Sequence, residues 1–164
     1  VAIGKRKMKI YIDESYITKK SHLRVFKQAC KFFTDNNGIK GRNVCLIVAV
    51  SPFAVEKDGS KIWGAADKVA KGIYFVTLSN KCANGIIRLE KFSLAILFHE
   101  LEHIRQFHSG VLRYTRDRKN MTWKGVSQKG VHYKNDPAEV AAWAAGDEYA
   151  NDFLKVFPRK RIKK

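Results

Sequence analysis

Residues 92–108 read FSLAILFHELEHIRQFH, and this run limits the fold of the chain more than any other. Its apolar side chains recur at helical spacing, which predicts a helix over about 92–108. Leu94, Leu97, Phe98 and Leu101 can pack into a core, while Ile96, Glu100, His103 and Phe107 fall on a different face. Residues four apart in a helix lie one above the other, so His99 and His103 can grip a single metal ion. Glu100 lies one residue round from His99, close to such an ion but not aimed at it. There it can act as general base on a metal-activated water and pass the proton to a leaving amine. Glu102, His108 and His22 have no evident part in this scheme, and Glu102 reads as an exposed helix charge.

A hydrolytic zinc site needs three protein ligands and one open position. The metzincin continuation H-E-x-x-H-x-x-G-x-x-H fails, because position 106 is Gln and position 109 is Ser. The third ligand must come from another element. NDPAEVAAWAAGDEYANDF, residues 135–153, offers Asp136, Glu139, Asp147, Glu148 and Asp152. It reads as a helix from Pro137 to about Val156, with Asp136 as N-cap and Pro137 at the first helical position. Small residues at Ala138, Ala141, Ala142, Ala145 and Gly146 would let it approach the motif helix closely. Glu139 is a candidate ligand, but it also sits three residues after Asp136, where a capping box places its glutamate. Asp147 and Glu148 are the alternatives. Tyr133 and His132, just ahead of this helix, are candidate donors to a developing oxyanion.

The succession HELEHIRQF, WKG and YKNDPAEVAAW resembles the small gluzincin-type zinc metallopeptidases of phage and bacterial genomes, within the zincin superfamily. The matching residues are His99, Glu100, His103, Trp123, Gly125, Tyr133, Pro137, Glu139 and Ala142, spread over about residues 92–150. The resemblance implies a peptidase in which His99, His103 and Glu139 bind Zn²⁺, Glu100 is the base and Tyr133 assists. Larger gluzincins often carry an Asp four residues after the ligand Glu. Here that position is Trp143, so a carboxylate orienting a zinc histidine would have to come from elsewhere, with Asp147 the candidate.

Charge adds a second theme. The formal net charge is +17, and a field of that size attracts polyanions. Residues 111–134 hold seven Lys and Arg against one Asp, whereas residues 135–154 hold five acids and no base. A nucleic-acid-associated protein is therefore an alternative, including a SprT-like protease that acts on nucleic-acid-bound proteins, although no zinc-ribbon cysteines follow the motif. Cell-wall peptide hydrolysis is a further alternative.

The rest of the chain is read more coarsely. Strands are predicted at 8–12 and 43–50, and a helix from Ser21, with Ser21 as cap, to DNNG at 35–38, with Gly38 left-handed. Residues 51–72 read as loop. IYFVTL (73–78) and GIIRLE (85–90) read as a β-hairpin whose second strand leads into the motif helix and could take a peptide by strand addition. Residues 109–135 read as an ordered excursion or short hairpin, with WKGV at 123–126 as a strand. Cys30, Cys45 and Cys82 form no C-x-x-C and read as reduced, buried thiols. With 164 residues, one α+β zincin-like domain over 1–157 and a basic, disordered tail over 158–164 are expected. In that arrangement an N-terminal helix and a small sheet pack on the motif helix, and a loop excursion leads to a C-terminal helix bearing the third ligand. No secretory signal or membrane span is evident, so the expectation is a cytoplasmic, monomeric protein, with Met8 a possible start.

Overall fold

The computed structural model of the chain describes residues 8–41, 43–51, 55–57 and 60–157. Residues 1–7, ahead of the possible start at Met8, and the expected basic tail, 158–164, lie outside them. The fold is α+β. Strand β1 (Lys9–Ile12), helix α1 (Lys20–Asn36) and strand β2 (Cys45–Ser51) open it, and β1 and β2 pair in parallel. A short antiparallel pair, β3 (Val55–Lys57) and β4 (Ser60–Ile62), then leads into β5 (Gly64–Ala70) and β6 (Ile73–Ser79). The main sheet has the order β1-β2-β6-β5, with β6 parallel to β2 and β5 antiparallel at the edge.

Alternation along β2 buries Leu46, Val48 and Val50 on one face. Helix α1 puts Val25, Phe26, Ala29, Cys30 and Phe33 into the same core. It starts one residue before the expected cap: Lys19 is the N-cap and no side chain caps it. Its end is as read, with Gly38 at φ +64°.

Two readings of the middle of the chain are corrected. GIIRLE is not a strand: Asn80–Ile87 form helix α2, which Ser79 caps by accepting from the Cys82 amide at 3.2 Å. Cys82, Ala83 and Ile86 share its buried face, so the β-branched isoleucines serve a helix. The antiparallel partner of β6 is instead β5, from the stretch read as loop. GAADKVA has one β-branched residue, Val69, and no aromatic one, and tertiary pairing overrides that weak propensity.

Helix α3 (Lys91–Ser109) carries the HELEH motif. It packs on β5 and α2 and runs along the last helix, α4 (Pro137–Val156). Between them lies a three-stranded antiparallel ribbon of β7 (Leu112–Tyr114), β8 (Met121–Trp123) and β9 (Val126–Ser127). WKGV is the β8–β9 turn rather than a strand, since Lys124 (φ 48°) and Gly125 (φ 83°) both take the left-handed conformation of a two-residue hairpin loop. A 3₁₀ turn, Tyr133–Asn135, then leads into α4. Cys30 and Cys82 are buried as expected, but Cys45 is only half-buried. No helix among the described residues is long and apolar enough to cross a membrane.

Candidate metal centre

The site forms where α3 and α4 run closest together. Ala138, Ala142, Gly146 and Ala150 repeat every four residues and make a buried stripe along α4. At Gly146 the approach is so close that a Cβ would sit 2.5 Å from the Ala95 carbonyl oxygen and 3.2 Å from the His99 backbone nitrogen. Of the small residues named from sequence, Ala141 and Ala145 are only half-buried, and Ala150 takes the next place in the stripe. On α3, every residue from Ser93 to Phe107 except Arg105 is buried, so both of its faces are enclosed.

This packing brings His99, His103 and Glu139 together. The Glu139 carboxylate reaches both rings, with Oε2 3.2 Å from His99 Nε2 and Oε1 3.4 Å from His103 Nε2. The two Nε2 atoms are themselves 3.2 Å apart. Glu139 therefore does not close a capping box: the Asp136 side chain caps α4 by accepting from the Ala138 amide at 2.8 Å, and the Asp136 amide bonds to the Tyr133 carbonyl. Four ligands placed tetrahedrally about 2.0–2.1 Å from an ion lie about 3.3 Å from one another. The three donor–donor separations match that edge, so these residues fit a small divalent ion. Among the described residues Glu139 Oε2 is buried without a hydrogen-bond partner, an acceptor that a positive centre would satisfy.

Glu100 joins the buried group: its carboxylate and the ligand atoms of His99 and His103 lie within 4.8 Å of one another, a cluster that could hold a metal ion. Glu100 also lies against the edge strand, where a Cβ on Gly64 would come 3.0 Å from its Cγ and Oε1. Burial pushes its carboxyl up to about 7, with the His103 charge acting the other way. Glu139 is held below the usual carboxylate range by His103 and His99, against the cost of its burial. Burial also lowers His99, whereas at His103 the carboxylates of Glu139 and Glu100, with Gln106, outweigh burial and raise it. The cluster thus keeps an ionised Glu139 between two imidazoles beside a glutamate that titrates near neutrality.

The remaining candidates fall into place around it. The Tyr133 hydroxyl accepts from Trp143 Nε1 at 3.1 Å and bonds to Glu139; burial and that carboxylate push it up to about 12, so it stays protonated. Trp143 lies against the His99 ring with centroids 4.5 Å apart. His132 is exposed and accepts from the Lys134 amide. Asp147 and Glu148 are exposed; Asp147 pairs with Lys91 at 3.1 Å, so it neither supplies the third donor nor orients a histidine. The polar side chain that meets a histidine of the cluster from behind is Gln106, which the sequence reading passed over: its Oε1 is 3.0 Å from His103 Nδ1. Glu102 is not an exposed charge but 4% exposed, held by two bonds from Arg105 at 2.6 and 2.8 Å. His108 is exposed and bonds to the Tyr74 hydroxyl, away from the cluster.

The outer edge of β5 runs past this site. Trp63 O accepts from Ser79 N, so residues 63, 65 and 67 turn their backbone groups towards β6. Alternation turns those of Gly64, Ala66 and Lys68 outwards, and the Lys68 carbonyl is already taken by Arg118 Nη2 at 3.1 Å. No family model matches the chain, and neither a curated protein nor a solved structure does.

Proposed function

We propose that the chain is a zinc-dependent peptidase with a zincin-like active centre, in which His99, His103 and Glu139 hold the metal and Glu100 is the general base. The convergence of three donors at tetrahedral-edge spacing carries this reading. Zinc held there would supply a Lewis acid that polarises a scissile carbonyl and brings the pKa of water towards neutrality. With the metal held there, Glu100 would be the residue beside the ligands to take a proton from the attacking water and pass it to the leaving amine. Tyr133 keeps its proton across the physiological range and is the donor nearest the ligand carboxylate, suited to the developing oxyanion. Gly64 and Ala66 offer outward N–H and C=O groups beside Glu100, where an extended peptide would add as a further strand. In this reading strand addition would fall to β5 and not to 85–90, whose first three residues end helix α2.

Elemental analysis and peptide cleavage test the proposal. The wild-type protein is expected to hold one zinc per chain and to cleave an unstructured protein such as casein. Glu100→Gln should keep its zinc and lose about 10²–10⁴-fold in rate. A chain that takes up no zinc, or a Gln variant as active as wild type, would reject the reading.

One observation favours a second property, contact with nucleic acid. The ribbon segment 111–134 carries seven bases, and its one acid, Asp117, is used internally by Thr115 and the Lys119 amide. Binding to DNA or RNA that falls steeply with salt is the expected signature, and absence of binding at low salt would rule it out.

A further inference from the structure

Gln106 lies deep between the two helices, fully buried, and its side-chain amide makes two bonds. On one side is His103 Nδ1 at 3.0 Å. On the other, at 3.0 Å, is the carbonyl oxygen of Ala138, the residue before Glu139. A backbone carbonyl can only accept, so the amide must turn its NH₂ to Ala138 and its oxygen to His103. An amide oxygen can only accept in turn, so His103 Nδ1 must carry the hydrogen. In the neutral ring these constraints leave His103 Nε2 with its lone pair aimed at His99 Nε2 and Glu139.

His99 has no such support among the described residues. Its Nδ1 is buried without a partner, and its ring is held by packing against Trp143 and by the close passage of Gly146. We infer that Gln106 is a positioning residue: it fixes the tautomer of His103 and, by the same amide, ties the first turn of α4, and so Glu139, to α3. A neutral amide does this without adding a charge next to the cluster, as a carboxylate would. The inference rests on the metal-centre reading for its purpose, but not for its first test.

That test uses the metal-free wild-type protein. Nitrogen-15 NMR of the imidazoles, on the alkaline side of their titration, should show His103 with its hydrogen on Nδ1. A His103 with its hydrogen on Nε2 would overturn the inference, whether or not the chain is a peptidase. The second test is Gln106→Met, which keeps the volume and removes both bonds, with folding checked by circular dichroism. Zinc affinity, measured by chelator competition, should fall about 10–100-fold, and the His103 hydrogen should no longer be confined to Nδ1. Unchanged affinity with an unchanged tautomer would equally overturn it. Should the Met variant not fold, Gln106→Glu replaces it: the carboxylate can still accept from His103 but, ionised, cannot donate to Ala138. There the Nδ1 tautomer should be kept while zinc affinity falls, and a variant that loses the tautomer would count against the assignment.

Discussion

Helices α3 and α4 both give side chains to one centre, yet they are held in opposite ways. Nearly all of α3 is enclosed, and large side chains such as Leu94, Leu97, Phe98, Leu101 and Ile104 fix it on every side. Along α4 the buried positions are Ala138, Ala142, Gly146, Ala150 and Phe153, and Val140 faces outward. One helix is located by bulk and the other by closeness. The difference teaches where the donor spacing is set: α3 fixes the two imidazoles, and the Ala/Gly stripe decides how near Glu139 comes to them.

Substitutions can break that contrast. Leu101→Ala, inside α3, should cost about 2–5 kcal/mol in urea unfolding, because the enclosed site cannot collapse onto the space left. A loss below about 1 kcal/mol would mean that α3 is not confined as described. Gly146→Ala should cost about 1–3 kcal/mol, since its Cβ meets the Ala95 carbonyl. It should also weaken zinc binding by pushing Glu139 away, and stability lost with affinity unchanged would separate the stripe from the site. Val140→Ala, on the outer face of α4 and 55% exposed, should stay within about 0.5 kcal/mol.

Two gentler measurements sharpen the picture. A carboxyl whose pKa is raised from 4.5 unfolded to about 7 folded favours folding while protonated, and loses that advantage as pH rises between the two values. Metal-free wild type should therefore lose stability relative to metal-free Glu100→Gln across that window, and a pH-independent difference would show that Glu100 is not buried. Thiol labelling reports on the other side of α3. Cys82 Sγ lies 3.6 Å from the Ser93 carbonyl, and burial pushes its thiol up to about 12, as it does that of Cys30. In the native protein Cys45 should label first, and Cys30 and Cys82 only on unfolding.

Legibility in the sequence followed the strength of local signals. The bounds of α4 were readable because Asp136-Pro137 is a helix start on two counts, and α3 was readable from its spacing. Strand β5 was not, because Ala, Gly, Asp and Lys owe their extended form to β6 rather than to their own preference. Helix α2 was missed for the opposite reason: Ile86 and Ile87 suggest a strand until Ser79 caps the turn before them. The paired histidines and the acidic helix could be named from their residue types, and the structure brings them together. Whether Glu139 faced its own helix start or the histidines could not be read locally, because α3 supplies the competing partner from 36–40 residues earlier. Gln106 and Glu102 looked like ordinary polar positions, since nothing in the sequence says that α3 is covered on both faces.

The free edge of β5 also bears on how the molecule behaves in company. Unpaired edge strands invite a second copy to join the sheet. Here the invitation is brief: the Lys68 carbonyl is occupied by Arg118, Asp67 is held by the Tyr114 hydroxyl at 2.6 Å, and the ladder shifts register between Lys68 and Ala70. Among the described residues of β5 only Gly64 and Ala66 keep an uninterrupted pair of outward groups, a short template for a second copy to join along this edge.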